Sequence, residues 1–132
     1  MDLQIGNSFS TSRLVTAELI RDFAELSGDH NPLHLDEVYA ATTRFGRRIA
    51  HGMLSGALIS GVLGMEFKEQ KILYLSQTMK FTAPVFIGDT ITTTATISNI
   101  RKDKGIVTLD TLCSKSGGEV TLRGESVIMI LP

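Results

Sequence analysis

The chain has 132 residues, 42% of them hydrophobic and 20% charged, with a net charge of −1. A chain of this size is expected to form one domain, residues 1–132, and to bury roughly two-thirds of its unfolded surface without staples. The near-neutral balance argues against a duplex nucleic-acid binder, which needs a basic face. Cys113 has no second cysteine to pair with, which suits a reducing cytoplasm. No secretory leader is expected from MDLQIGNSFS, which lacks a basic stretch followed by an apolar one. No membrane span is expected either, because Ser55, Gly56, Ser60, Gly61 and Gly64 interrupt the longest apolar region.

In chain order, Ile5–Val15 is an ambiguous strand anchored by Phe9. Thr16 fits the N-cap of a helix from Ala17 to about Leu26, since its hydroxyl can accept an orphan backbone N–H. Leu19, Ile20, Phe23 and Leu26 give that helix an apolar face, and Gly28 ends it. Pro32 lacks an N–H and pushes Asn31 out of the α region, so Asp29–His34 is expected to be a fixed turn, not a continuous helix. Asp36 is placed to cap a short helix through Val38, Tyr39 and Ala40 towards Phe45, with Gly46 as its stop.

From Gly52 to about Met65 apolar residues lie nearly all the way round, which predicts a helix buried on every side. Gly56, Gly61 and Gly64 each cost about 1 kcal/mol of helix propensity relative to alanine. Close approach to a sheet wrapped around the helix would compensate.

After Lys71 the period changes to two. Leu73, Leu75, Met79 and Phe81 share one expected face; so do Ile91, Thr93, Ala95 and Ile97, then Val107, Leu109, Thr111 and Cys113. Val120, Leu122, Ile128 and Ile130 form another, with Gly124 as a bulge candidate. Gly88-Asp89, Asp103-Lys104-Gly105 and Ser116-Gly117-Gly118 supply turns. Four alternating strands in succession predict an antiparallel meander. With the N-terminal strand, the expected class is α+β, about five strands curled around one long helix.

All three histidines, His30, His34 and His51, lie between Ser27 and Gly64, and the polar run Gly28–His34 is flanked by apolar helix-like sequence. Asp29 and His34, five residues apart across a proline turn, form a candidate acid–base pair. A carboxylate and an imidazole sharing one water can activate it, one accepting the proton while the other orients the oxygen. The plainer reading makes Asp29 a turn cap and His34 a satisfied half-buried histidine. Gly52 opens the apolar helix, where orphan N–H groups and partial positive charge make its N–H a candidate oxyanion donor. A simple helix start is the alternative. Asn31 is a substrate-binding candidate that equally suits fixing the turn. Ser55 and Ser60 are placed either to hydrogen-bond His34 or to bond back to the preceding helical turn.

A metal is not expected. His30 and His34 are separated by Pro32 and share no helical face, HExxH is absent, and one cysteine gives no thiolate cage. Arg44, Arg47 and Arg48 form either a phosphate-binding cluster, with Lys68 or Lys80, or a solvated basic surface.

Gly28-Asp29-His30-Asn31-Pro32-Leu33-His34, then Asp36, Phe45 and Ala50-His51-Gly52-Met53-Leu54, closely resembles the hydratase-2 motif of the MaoC-like (R)-specific enoyl-CoA hydratases. Tyr74-Leu75-Ser76-Gln77, Phe81, Pro84–Asp89 and Gly124-Glu125-Ser126-Val127 extend the likeness to the single-domain bacterial enzymes that feed polyhydroxyalkanoate synthesis. The resemblance implies a hot-dog fold and a homodimer with the acyl group in a tunnel near the subunit interface. It implies syn addition of water to a trans-2-enoyl-CoA, giving an (R)-3-hydroxyacyl-CoA, with no cofactor beyond the coenzyme A carried by the substrate.

The family's catalytic dyad maps onto Asp29 and His34, and its oxyanion glycine onto Gly52. Bulk at Val62, Leu63 or Ile128, on the apolar helix and last strand, is expected to set acyl length. The partner expected is an acyl-CoA, not a nucleic acid or a membrane. Rival readings are a hot-dog dehydratase acting on acyl-carrier-protein thioesters, an acyl-CoA thioesterase, or a non-catalytic acyl-CoA-binding subunit.

Overall fold

The computed structural model describes residues 2–132. The chain runs β1 (Ser8–Leu14), α1 (Ala17–Ser27), α2 (Pro32–Leu35), α3 (Glu37–Ala41), α4 (Gly52–Glu66), β2 (Lys71–Phe81), β3 (Thr90–Arg101), β4 (Ile106–Lys115) and β5 (Val120–Leu131). The five strands form one antiparallel sheet in the order β1-β3-β4-β5-β2. Leu54, Ile59, Val62 and Leu63 of α4 join Ile91, Ala95, Ile97, Val107, Leu109, Cys113, Leu122 and Ile128 of the sheet in one core. This is the expected hot-dog arrangement.

The helix signals hold where caps decide them. Thr16 Oγ1 accepts the Leu19 N–H at 3.0 Å, and Gly28 closes α1 at φ 79°, its N–H donating to Ala24 O. Leu26 does not belong to the apolar face. It is 83% exposed, while Ala24 is fully buried beside Ile20, because the buried stripe runs through i and i+4 and Leu26 turns away from it. Asp36 Oδ1 caps α3 by accepting from Tyr39 N, but the helix stops at Ala41, short of Phe45.

Four expectations about the sheet and α4 are corrected. The strands are not a simple meander: β3, β4 and β5 follow one another, but β2 crosses to the far edge and pairs with β5. In β2 the register shifts between Tyr74 and Ser76, making Leu75 an extra residue. That bulge inverts the alternation. Tyr74 pairs with buried Ile128 and Gln77 with buried Ser126, whereas Leu73 and Leu75 are exposed. Gly124 is no bulge but a point of close approach, since a Cβ there would sit 1.9 Å from Thr78 O.

Finally, α4 is covered on one side only. Met53 and Met65 are 53% and 66% exposed, because a five-stranded sheet covers one face of the helix and leaves the other open. Gly56 approaches β2 as expected, with Met79 Sδ 3.1 Å from where its Cβ would be, but Gly61 and Gly64 face open space.

Candidate active site

The turn after α1 is built by short polar side chains bonding nearby backbone. Ser27 Oγ donates to Phe23 O at 2.7 Å and accepts from Asp29 N at 3.1 Å. Asp29 Oδ1 accepts from Asn31 N at 3.1 Å, and Asn31 Oδ1 accepts from Leu33 N at 3.0 Å. These successive Asx turns hand the chain into α2, whose first residue is Pro32. The missing N–H costs nothing at that position. The expected turn therefore ends in one helical turn that carries His34, and Asn31 serves as its N-cap.

Asp29 divides its oxygens. Oδ1 holds the turn, while Oδ2 lies 3.8 Å from His34 Nε2. The His34 Nδ1 atom is 2.8 Å from Ile49 O. A carbonyl oxygen can only accept, so Nδ1 carries a proton, and in that tautomer of the neutral ring the lone pair sits at Nε2. A separation of 3.8 Å is too long for a direct hydrogen bond, yet one water can touch both atoms. The His34 side chain is 14% exposed and that of Asp29 49%, so the gap opens to solvent on the carboxylate side.

His51 braces this pair. Buried at the N-cap of α4, it donates from Nε2 to Asp29 O at 2.9 Å. Its ring stacks on His34, with centroids 3.9 Å apart and planes at 27°, and Phe23 covers it at 4.9 Å. Burial pushes His51 below the ordinary imidazole value, and the charge of His34 acts in the same sense. The bond to Asp29 O opposes the shift. His51 Nδ1 is buried with no partner among the described residues.

Asp29, His34 and His51 each offer a ligand atom, all within 4.8 Å of one another. They fit a metal poorly. The near-parallel stacked rings aim their in-plane lone pairs along separate lines, and His51 Nε2 is committed to the Asp29 carbonyl. His30, bonded to Glu25 at 3.0 Å, and Asp36, capping α3, are engaged elsewhere.

Gly52 begins α4 directly after His51 and lines a cavity of about 320 Å³ with Arg44, Ser55, Phe81 and Pro84. A Cβ at Gly52 would meet Phe81 Cε1 at 3.0 Å. Glycine thus lets the helix start pack against the aromatic ring. The first N–H groups of α4 have no carbonyl within the helix to bond, and the helix dipole adds partial positive charge beside the cavity. His51 lines this cavity and stacks on His34.

Ser60 lies on the exposed side of α4, and His34 bonds Ile49, not Ser55 or Ser60. Leu63 and Ile128 are fully buried in the core, and Val62 lines a groove between α4 and β1. The three clustered arginines part company. Arg47 stacks over Phe86 at 3.9 Å and Arg44 over Phe45 at 5.1 Å. Arg48 turns inward, and its Nε donates to His34 O at 2.7 Å. Neither the bracing by His51 nor that by Arg48 was legible from composition or spacing.

The chain matches a family model described as MaoC like domain over residues 3–115. It is 43% identical to an (R)-specific enoyl-CoA hydratase of Rhodospirillum rubrum, covering 98% of this chain and 89% of that one. It is 41% identical to an (R)-specific enoyl-CoA hydratase of Aeromonas caviae, covering 97% and 96%. A solved (R)-hydratase from A. caviae, involved in PHA biosynthesis, superimposes with a TM-score of 0.92 at 42% identity over 98% of each chain.

Proposed function

The chain belongs to the MaoC-like domain family, and we propose on that footing that it catalyses the reversible syn hydration of a trans-2-enoyl-CoA to an (R)-3-hydroxyacyl-CoA. The observation that carries the reading is the 3.8 Å gap between Asp29 Oδ2 and His34 Nε2. Both atoms are acceptors, so one water can point a hydrogen at each. As the water oxygen bonds to C3, its proton passes to His34 Nε2. Asp29 holds the other O–H and its negative charge favours the imidazolium. Electron density moves through C2 to the thioester oxygen, where the Gly52 N–H at the start of α4 meets it. His34 then returns the proton to C2 on the face from which the water came. The balance is one water added across the double bond, and the site returns to its starting state.

The chemistry needs no cofactor, coenzyme A being part of the substrate. The active unit is a homodimer. Support comes from the uncovered apolar side of α4, at Met53 and Met65, and from the free edge strand β2 with exposed Leu73, Leu75 and Phe81. The acyl group runs near that interface, with Val62, Leu63 and Ile128 setting its length. The pathway is polyhydroxyalkanoate biosynthesis, which the A. caviae hydratase serves. A cytoplasmic setting accords with the free, buried Cys113.

The experiment is loss of enoyl-thioester absorbance with crotonyl-CoA, followed by chiral analysis of the product. Rapid loss with (R)-3-hydroxybutyryl-CoA formed is the expected result. Thiol release from a saturated acyl-CoA, without hydration, would overturn it in favour of a thioesterase. Hydration only of acyl-carrier-protein thioesters would overturn the carrier assignment.

A further inference from the structure

Residues 48–51, just before α4, form a strap that touches both members of the dyad. On one side Ala50 N donates to Val85 O at 2.7 Å, and Ile49 bridges Phe86. On the other side Ile49 N donates to Leu33 O at 3.4 Å, Ile49 O takes the His34 Nδ1 proton, and His51 holds the Asp29 carbonyl. Arg48 closes the set. Its side chain is 10% exposed, its Nε donates to His34 O at 2.7 Å, and its Nη1 meets Glu37 Oε1 at 3.3 Å. His34 is thus fixed twice by the strap, through its ring and through its own carbonyl, and the second bond carries a full guanidinium charge.

We propose that Arg48 is a positioning residue of the hydration reaction, holding the backbone of His34 so that Nε2 stays one water from Asp29. The guanidinium touches no reacting atom. It acts on the carbonyl of the residue that carries the base, and Glu37 at the head of α3 fixes its fork. A cation that bound coenzyme A phosphates would instead present its guanidinium to solvent or to the cavity. Arg44 lines the cavity; Arg48 is turned towards α2. Small displacements of a reacting group cost about 10²-fold in rate when the geometry is a near-attack one. Loss of this bond is therefore expected to lower kcat by roughly ten- to a hundredfold with little change in KM.

The inference rests on the hydratase reading, so wild-type turnover of crotonyl-CoA is measured first; a wild type without hydratase activity defeats that reading and this one with it. With an active wild type, Arg48→Met keeps the aliphatic stem and removes the donors, which preserves packing. The expected result is a folded protein by circular dichroism, with kcat down ten- to a hundredfold and KM within about threefold. Arg48→Lys, which keeps one donor, should recover part of the loss. Added millimolar guanidinium should raise kcat in Arg48→Ala, where the vacated space admits it. A folded Arg48→Met with kcat within twofold of wild type would overturn the proposal while leaving the hydratase reading intact. A raised KM at unchanged kcat would overturn it equally, by making Arg48 a coenzyme A contact.

Discussion

His51 lies flat on His34, ring centroids 3.9 Å apart, while its Nε2 proton holds the backbone carbonyl of Asp29. One buried side chain thus touches both members of a pair whose facing atoms, His34 Nε2 and Asp29 Oδ2, are 3.8 Å apart. The stack restricts the His34 ring, and the hydrogen bond restricts the turn that carries Asp29.

In the proposed mechanism Asp29 Oδ2 and His34 Nε2 hold one water between them, so removing either should leave the other unable to complete the transfer. Asp29→Asn keeps Oδ1 for the Asn31 N–H and so keeps the turn. His34→Ala removes the base. Each should lose about 10²–10⁴ in kcat, the range of positioned acid–base groups, with the fold intact by circular dichroism. Near-wild-type turnover in either folded variant would remove that residue from the mechanism.

Gly52 makes its own prediction through Phe81. An alanine Cβ would stand 3.0 Å from Cε1 and 3.2 Å from Cδ1 of that ring. Gly52→Ala should cost about 1 kcal/mol at most by overpacking, because the half-exposed Phe81 ring can give by a few tenths of an ångström. As the start of α4 shifts, kcat should fall towards the roughly 10²-fold loss seen when an oxyanion donor is removed. Adding Phe81→Leu should relieve much of the stability loss. Urea denaturation and steady-state kinetics on the single and double variants check both parts, and a double variant no more stable than Gly52→Ala would rule out the clash.

Protonation of His51 is opposed by burial first, then by the charge of His34 and more weakly of His30; the Asp29 carbonyl and carboxylate favour it. The folded value therefore lies below the unfolded one, near 6.5. Below that pH the unfolded chain takes up a proton that the folded chain does not, so this contribution to stability falls as pH drops. His30, raised by its hydrogen bond to Glu25, acts in the opposite sense: its contribution is present at low pH and lost as pH rises through its folded value. Comparing wild type with His51→Gln cancels the His30 effect and keeps a donor for Asp29 O. The stability difference should move in favour of the glutamine variant between pH 8 and pH 5.5, measured by urea denaturation; an unchanged difference would contradict it.

Leu63 and Ile128 are fully buried. Leu63→Ala should therefore cost about 2–5 kcal/mol and, if the acyl chain reaches this part of the core, shift the enoyl-CoA length profile towards longer chains. Stability and a series of four- to twelve-carbon substrates separate the two effects. A destabilised variant with the wild-type length profile would confine Leu63 to packing.

Much of the site was legible because it is local. The Thr16 cap and the Gly28 stop are found as read, the turn at Asp29–Asn31 runs on into a helical turn from Pro32, and Asp29 and His34 lie side by side across it. Asn31 was open between two roles, and its hydrogen bond to Leu33 places it in the turn. What was not legible depends on distant partners. The extra Leu75 in β2 becomes visible only through pairing with β5 and inverts the face on which Leu73 lies. The pattern of α4 reads as buried all round because sequence reports apolarity, not which side the sheet covers. Arg44, Arg47 and Arg48 look alike in sequence and differ only in what the fold sets beside them: Phe45, Phe86 and the carbonyl of His34.

The groups assigned to the reaction, from Asp29 to Gly52, and both braces of the dyad come from a single uninterrupted run of chain. Only a few contacts from outside the run reach it: Phe81 against Gly52, and Val85 and Phe86 against the strap. The chemistry of the proposed site is thus written in one segment, and its setting in a few side chains from elsewhere in the chain.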